Sequence, residues 1–252
     1  SGGWQTIGGR SYHFRADGSA DTGWTTVGGV KYYFESDGMM HTGFLSYGNS
    51  LYYLGTDGTP LAGGWHTLSG NKDYTYGDGT VQTGLAALDG ETYYFNSNGA
   101  MVQNAFASEG GETYYFGSDG TKLKETGWTD IGSHTYYLKK DSALTFGFKD
   151  IDGSTYYFDS DGWLIKSSFL NPNGTKYYAS KDGSILKGTV FTTIGGKQYY
   201  INDDGSIQTG LSKIGGSTYY FNSEGAMLTG WLDADGFRYF FRQRGFRYFF
   251  RQ

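Results

Sequence analysis

One pattern returns about every twenty residues along the chain and constrains the fold more than any other feature of the sequence. In its clearest copy, residues 23–34, a Gly-Trp pair precedes a short polar run, a Gly-Gly turn and a Tyr-Tyr-Phe triplet. Successive copies start 20 to 22 residues apart, which predicts a tandem array of twelve similar repeats. The residues that head the repeats are Trp4, Trp24, Phe44, Trp65, Leu85, Phe106, Trp128, Phe148, Phe169, Phe191, Leu211 and Trp231.

Each repeat has the local chemistry of a β-hairpin. Aromatic and β-branched residues favour strands, and a glycine-rich pair between two such runs favours a tight turn. A triplet rich in aromatic residues closes each repeat, and in the fourth repeat we assign it to Tyr74-Thr75-Tyr76. The triplets begin at Tyr12, Tyr32, Tyr52, Tyr74, Tyr93, Tyr114, Tyr136, Tyr156, Tyr177, Tyr199, Tyr219 and Tyr239.

Alternation along a strand places aromatic side chains on both faces of such a hairpin. A single hairpin would leave one of those faces in water, so the repeats must stack on one another to fold. The fold class that follows is all-β, a β-solenoid of about twelve stacked hairpins of ~20 residues each. The 43 glycines and 2 prolines agree with many short strands joined by turns.

The predicted array covers residues 1–241, and a duplicated terminal segment follows at 242–252. The eight residues from Gly236 are repeated without change from Gly245, and five of the seven arginines lie in this region. One interpretation is a basic, aromatic hairpin that caps the array. The alternative is that the second copy is not a natural part of the array. The fact that the two copies are identical slightly favours this alternative.

Several classes of function are excluded by what the sequence lacks. A net charge of −5 without a basic stripe argues against nucleic-acid binding. No apolar run is long enough to span a membrane, and there is no cysteine. The aspartates lie in turns, where they bond to the backbone, and their spacing matches no calcium loop. We therefore expect no enzyme activity, no cofactor and no metal. The histidines, each at a different register of the repeat, are His13, His41, His66 and His134.

The repeat resembles the cell-wall-binding repeat superfamily. The resemblance rests on Gly-Trp, Tyr-Tyr-Phe, Asp-Gly and Thr-Gly-Trp in that order, and it extends from residue 2 to about residue 241. That superfamily includes choline-binding modules, the glucan-binding repeats of glucansucrases and the repetitive C-terminal region of large clostridial toxins. The resemblance implies a left-handed superhelix of hairpins, ligand sites between successive hairpins, and a secreted or cell-surface location.

One position separates this chain from the choline-binding branch. Choline-binding repeats usually carry Trp before the Tyr pair and cage a quaternary ammonium group by cation–π attraction. In the nine repeats that contain a Tyr-Tyr pair, that position is Lys, Leu, Thr or Gln and never Trp, for example Lys31, Thr135 and Gln198. The residues around the tyrosine pair resemble the glucan-binding and toxin-type repeats more closely. The sequence therefore favours a carbohydrate ligand, with aromatic rings stacking on sugars.

The sequence therefore predicts a non-catalytic module that attaches a secreted protein to cell-wall or extracellular carbohydrate. The alternatives are a structural stalk or filament that associates through its ends and binds no small ligand, and a choline-binding module for teichoic acid. The best predicted junction joins the first two repeats, with Trp4, Tyr12, Trp24 and Tyr32 nearby. Trp163 follows an Asp-Gly turn at a position where other repeats carry a small residue or Met39, and there it would make an exposed sugar platform. The candidate ligand-binding residues are Trp4, Tyr12, Trp24, Tyr32, Phe44, Trp65, Trp128, Trp163 and Trp231.

Overall fold

The computed structural model describes residues 2–234, 237–241 and 247–251. Within these ranges the structure is built from short strands, with a single-turn 3-10 helix at Pro172–Gly174. No helix in the described ranges is long and apolar enough to cross a membrane. The strands are β1 Gly3–Ile7, β2 Arg10–Phe14, β3 Gly23–Val27, β4 Val30–Phe34, β5 Gly43–Tyr47, β6 Ser50–Leu54, β7 Gly64–Leu68, β8 Asn71–Thr75, β9 Gly84–Leu88, β10 Glu91–Phe95, β11 Ala105–Glu109, β12 Glu112–Phe116, β13 Gly127–Ile131, β14 His134–Leu138, β15 Gly147–Ile151, β16 Ser154–Phe158, β17 Ser168–Leu170, β18 Tyr177–Ala179, β19 Val190–Ile194, β20 Lys197–Ile201, β21 Gly210–Ile214, β22 Ser217–Phe221, β23 Gly230–Ala234, β24 Phe237–Phe241 and β25 Arg247–Arg251.

Strands β1 to β24 pair in chain order as twelve antiparallel hairpins, which confirms the predicted fold class. In the second repeat, Trp24 lies opposite Tyr33, and the connecting Gly28-Gly29 pair has φ angles of 59° and 85°. Two positive φ angles in a two-residue loop define a type I′ turn, whose twist matches that of the flanking strands. The glycine pairs of the sequence are therefore the residues that fix strand register.

The core lies between successive repeats rather than within one hairpin. From the second repeat onward, the last residue of the closing strand is buried, as Phe34 and Phe95 show at 0% exposure. Backbone hydrogen bonds reinforce this packing, because in eight repeats the loop after the hairpin bonds to the closing strand of the preceding hairpin. For example, the Met101 N–H donates to the Lys72 carbonyl at 2.8 Å. A repeat is thus held by its neighbour's side chains and backbone together.

The fourth repeat corrects our sequence-based register. Trp65 pairs with Tyr74 and Gly64 pairs with Thr75, so the closing triplet is Asp73-Tyr74-Thr75. The predicted Tyr74-Thr75-Tyr76 triplet is wrong by one residue. A Ser-Gly turn, with φ angles of 49° and 85°, fixes the register here, and the second aromatic of the expected triplet lies outside β8. Asp73 consequently takes the place that a tyrosine occupies in the neighbouring repeats.

Contacts between residues divide the chain into two compact units. The first consists of residues 1–125 with 141–143 and contains β1 to β12, while the second contains β13 to β25. In the second unit β25 adds to β24, with Tyr248 opposite Phe240, and makes a three-stranded sheet. Residues 242–246 and 252 of the predicted terminal segment lie outside the described residues.

Candidate ligand-binding sites between repeats

In six repeats the head residue meets two tyrosine rings, one in its own hairpin and one in the next. Trp128 contacts Tyr137 across its hairpin at 5.2 Å and Tyr156 of the following repeat at 4.8 Å, both edge to face. We call the space around these three rings a junction and name it after the head residue. The same arrangement recurs as Trp24 with Tyr33 and Tyr52, Trp65 with Tyr74 and Tyr93, Phe148 with Tyr157 and Tyr177, Phe169 with Tyr178 and Tyr199, and Phe191 with Tyr200 and Tyr219.

The Trp128 junction opens into a cavity of about 330 Å³. The indole is 41% exposed, so a ligand can reach its face. The cavity mixes this aromatic wall with charged side chains, which suits recognition of a small polar or cationic group. Its lining residues are Trp128, Thr129, Asp130, Thr135, Tyr156, Leu164, Lys166 and Asp182.

Two carboxylates and one ammonium group line this cavity, so its charge is negative overall. Asp130 comes from the strand of Trp128 itself, and Asp182 comes from a turn two repeats later. The cation, Lys166, donates its Nζ proton to the Thr135 hydroxyl at 3.0 Å. An aromatic wall beside an excess of negative charge favours a cationic ligand over a neutral or anionic one.

Hydrogen bonds keep Asp182 ionised. The Ser180 hydroxyl donates to Asp182 Oδ1, and the Ser184 hydroxyl and backbone N–H donate to the same oxygen at 2.7 Å and 2.9 Å. These donors lower the pKa of Asp182 to about 2. The turn chemistry that shapes the loop therefore also supplies a carboxylate that is charged at every physiological pH.

Two other junctions of the second unit are electrically balanced. The Phe148 junction encloses about 240 Å³ and is lined by two lysines, Lys149 and Lys187, and two aspartates. The Phe169 junction encloses about 400 Å³, and there Lys176 forms an ion pair with Glu224 at 2.5 Å. Among these three cavities, the Trp128 junction is the one with an excess of negative charge.

In the first unit, two tryptophan rings carry a lysine of their own repeat. Lys31 Nζ lies 4.2 Å from the centroid of the Trp24 ring, and Lys72 Nζ lies 4.6 Å from that of Trp65. Both distances are within the ~6 Å range of cation–π attraction. Thr135 occupies the same register position in the Trp128 repeat, since it too precedes the closing triplet.

The structure brings some of the predicted site residues together and separates others. Trp4 contacts Tyr32 of the second repeat at 4.9 Å. Trp24 instead contacts Tyr52 of the third repeat, and Tyr12 lies against Phe14 of its own strand at 6.4 Å. The four residues predicted to share the first junction are therefore distributed over successive junctions, because a head residue reaches forward along the chain.

The remaining predicted residues have different surroundings. Phe44 contacts Tyr53 at 4.9 Å, but the next repeat supplies Asp73 where other junctions have a tyrosine. Trp163 is half-buried and stacks on His134 with centroids 3.6 Å apart and planes 17° apart. One face of this indole is thus covered by an imidazole. Trp231 is 58% exposed and contacts Phe240 of its own hairpin at 4.9 Å.

Sequence reasoning missed the carboxylates of the Trp128 junction. Asp182 belongs to a turn that we explained entirely by turn chemistry, and nothing local to Trp128 points to it. Asp130 follows Trp128 by two residues and therefore shares its face of β13. The alternation of side chains along β13 could have indicated Asp130 from the sequence. Asp182 could not be found in this way, because it reaches the cavity only through the stacking of the repeats.

The comparisons with known proteins identify the family. A model of the choline-binding repeat matches residues 21–65, 82–124, 145–189 and 208–245. A model described as a cell wall binding repeat matches residues 2–20 and 191–207. The chain belongs to the choline-binding repeat family. It is a cell-wall-binding module, as the superfamily resemblance and the predicted class of function had indicated.

Solved structures of similar fold come from Streptococcus pneumoniae. Choline-binding protein F is 23% identical, with a TM-score of 0.61 and 97% of each chain covered. CbpJ is also 23% identical, with a TM-score of 0.57, and the match covers 96% of this chain and 99% of that one. Choline-binding protein F has also been crystallised in the presence of a peptidoglycan analogue, a tetrasaccharide-pentapeptide. At this identity the likeness shows the fold alone. No curated protein sequence matches the chain.

Proposed function

We propose that the chain holds a secreted protein at a cell surface by binding quaternary ammonium groups of choline-bearing wall polymer. The Trp128 junction is the principal site. A quaternary ammonium ion has no proton to donate, so its recognition depends on aromatic faces and on nearby negative charge. The Trp128, Tyr156, Asp130 and Asp182 side chains provide both kinds of partner around one cavity. Choline is the alternative that the sequence left open beside a sugar ligand.

The observation that carries the proposal is the charge of that cavity. A sugar site needs aromatic platforms and hydrogen-bonding groups but gains little from uncompensated carboxylates. In the Trp128 junction, two carboxylates face one ammonium group that is already bonded to a hydroxyl. Single sites of this kind are weak, and several of them along one chain gain strength when the polymer presents many choline groups. Bound in this way, the chain acts as an anchor and has no catalytic role.

Calorimetric titration with choline, and separately with an oligosaccharide, tests the proposal. The chain itself offers graded replacements at position 128, since other repeats are headed by Phe or Leu. We expect Trp128→Phe to weaken choline binding slightly and Trp128→Leu to weaken it about 5- to 30-fold, the equivalent of ~1–2 kcal/mol of cation–π attraction.

Asp182, an acidic residue of the proposed site, has a matched control in the first repeat. Asp182→Asn should weaken choline binding, and the loss should diminish as salt screens the carboxylate of the wild type. Asp17 forms the same turn, accepting from the Ser19 N–H and hydroxyl, but it does not line the Trp128 cavity. Asp17→Asn should therefore leave binding unchanged. Binding of the oligosaccharide but not of choline would contradict the proposal, and so would equal effects of the two aspartate variants.

Association of copies through the ends of the array is a separate prediction of the stalk alternative. Sedimentation at increasing protein concentration, with and without choline, tests it. Concentration-dependent assembly together with no heat of choline binding would favour the structural role over the anchoring role.

A further inference from the structure

We propose that Lys31 and Lys72 close the Trp24 and Trp65 junctions by placing their own ammonium groups where an external cation would bind. The chain then contains two kinds of tryptophan junction, those occupied by an internal lysine and those open to ligand. This inference rests on the proposed function, because it takes the indole face as the ligand position.

The strand register explains why these lysines reach the rings. Lys31 pairs with Thr26, and Thr26 follows Trp24 by two residues on β3. Residues two apart on a strand share a face, so lysine and indole lie side by side on the same surface of the hairpin. Lys72 is related to Trp65 in the same way through Thr67. The short amine-to-ring distances are thus a consequence of register, and they occur in the two Trp-headed hairpins where lysine precedes the closing triplet.

Each internal ammonium group also has a carboxylate from two repeats later. Hydrogen bonds from Thr80 lower the pKa of Asp78, and the charge of Lys31 adds to the effect. For Asp119, hydrogen bonds from Thr121 are the main cause of the lowered pKa, and the charge of Lys72 contributes. In the same way, Asp182 comes from two repeats after Trp128 and lines the Trp128 cavity. The closed junctions therefore contain a ring, a carboxylate and a lysine whose ammonium group lies over the ring. The Trp128 junction has the ring and the carboxylate, but Thr135 takes the lysine position and the nearby cation, Lys166, bonds to the Thr135 hydroxyl.

Exposure of the rings agrees with this division. Trp24 and Trp65 are half-buried, while Trp4 and Trp128 are 42% and 41% exposed. A tethered amine remains at high local concentration, so a weakly bound external ligand cannot displace it at moderate concentrations. Ser11 occupies the lysine position of the Trp4 repeat, which places the Trp4 junction with the open ones.

Exchanging lysine and threonine at this register position tests the inference in both directions. We expect Lys31→Thr and Lys72→Thr each to add one choline site per chain, measured as stoichiometry by calorimetry or equilibrium dialysis. Thr135→Lys should remove the site at Trp128. The control for charge is Lys140→Thr, because Lys140 is exposed in a turn between hairpins, and this change should leave the stoichiometry unaltered.

The outcomes separate this inference from the proposed function. If the wild type binds choline at Trp128 and the two lysine variants add no site, the inference fails while the proposed function stands. If the wild type does not bind but the lysine variants do, the inference holds and the Trp128 assignment fails. If no variant binds choline, both are overturned. Circular dichroism of each variant shows whether lost binding reflects lost folding, and the gain of a site by a lysine variant cannot arise that way.

Discussion

Replacing Asp73 with asparagine should make the protein more stable at neutral and alkaline pH. Asp73 is 1% exposed, and its recorded hydrogen-bond donor is the Leu68 N–H at 3.3 Å. Burial raises the pKa of Asp73, and this outweighs the opposing effects of that hydrogen bond and of the charge of His66. Asparagine has almost the same shape and keeps an oxygen that can accept the Leu68 proton, so the substitution removes the charge and little else.

The size of the effect depends on pH in a definite direction. A folded-state pKa above the unfolded value gives a contribution to stability that is complete below pH ~4 and is lost as the pH rises through the raised pKa. Each pKa unit corresponds to about 1.4 kcal/mol. Because the carboxyl is buried with one weak donor, we expect Asp73→Asn to gain about 1–3 kcal/mol at pH 8 and nothing at pH 3.

Urea unfolding of both proteins between pH 3 and pH 9 measures this difference directly. The free energies of unfolding of the wild type and Asp73→Asn should agree at the acidic end and separate as the pH rises. Asp57→Asn is the control, because hydrogen bonds from Thr59 lower the pKa of that exposed turn residue and its effect on stability should have the opposite sign. A difference for Asp73→Asn that is constant across the pH range would refute the reasoning.

Two further predictions concern a buried ion cluster and the glycine turns. Burial alone would raise the pKa of Asp21, but hydrogen bonds from His13 and Arg15, at 2.6 Å and 2.7 Å, lower it overall. Asp21→Asn should therefore cost about 1.5–3 kcal/mol at pH 7 and progressively less as the pH falls below ~4, as urea unfolding would measure. The second prediction compares two glycines with nearly equal φ angles, Gly225 at 80° and Gly216 at 82°. A Cβ added at Gly225 would collide with the side chain of Ile207, at 2.3 Å, whereas a Cβ added at Gly216 would meet nothing. Thermal unfolding should show a loss of about 1–2 kcal/mol for Gly216→Ala and ~1–3 kcal/mol more for Gly225→Ala; equal losses would contradict the steric argument.

The hairpins could be predicted because all their determinants are local. A glycine pair in a type I′ turn fixes the pairing of the five residues on either side, and the aromatic triplet shows where the second strand ends. The error in the fourth repeat arose from following the aromatics instead of the turn. Counting outward from Ser69-Gly70 pairs Leu68 with Asn71 and reaches Asp73 opposite His66. The turn is the stronger signal, because tyrosines occur on both sides of the strand end.

The junctions were less predictable because they join residues of up to three repeats. Trp128, Tyr156 and Asp182 are separated by 28 and 26 residues, and the pattern of one repeat does not specify which later ring or turn a head residue approaches. The rings of the first junction could be found from the sequence, and Trp4 does meet Tyr32, but Trp24 belongs to the next junction along the chain. The local hydrogen bonds that explain the turn aspartates are present in the structure. Their second role, as carboxylates of a junction two repeats earlier, did not follow from the sequence.

The aromatic head cannot by itself decide what a junction binds, because Trp24, Trp65 and Trp128 are the same residue in the same register. What differs is the side chain that precedes the closing triplet: lysine in the Trp24 and Trp65 repeats and threonine in the Trp128 repeat. The loss of tryptophan at that position led us to doubt a choline site from sequence. In the structure the same position holds an ammonium group against the indole in two junctions, so the indole face and its carboxylate are already a cation site. A residue that fills the site in one repeat thereby indicates the chemistry of the ligand in another.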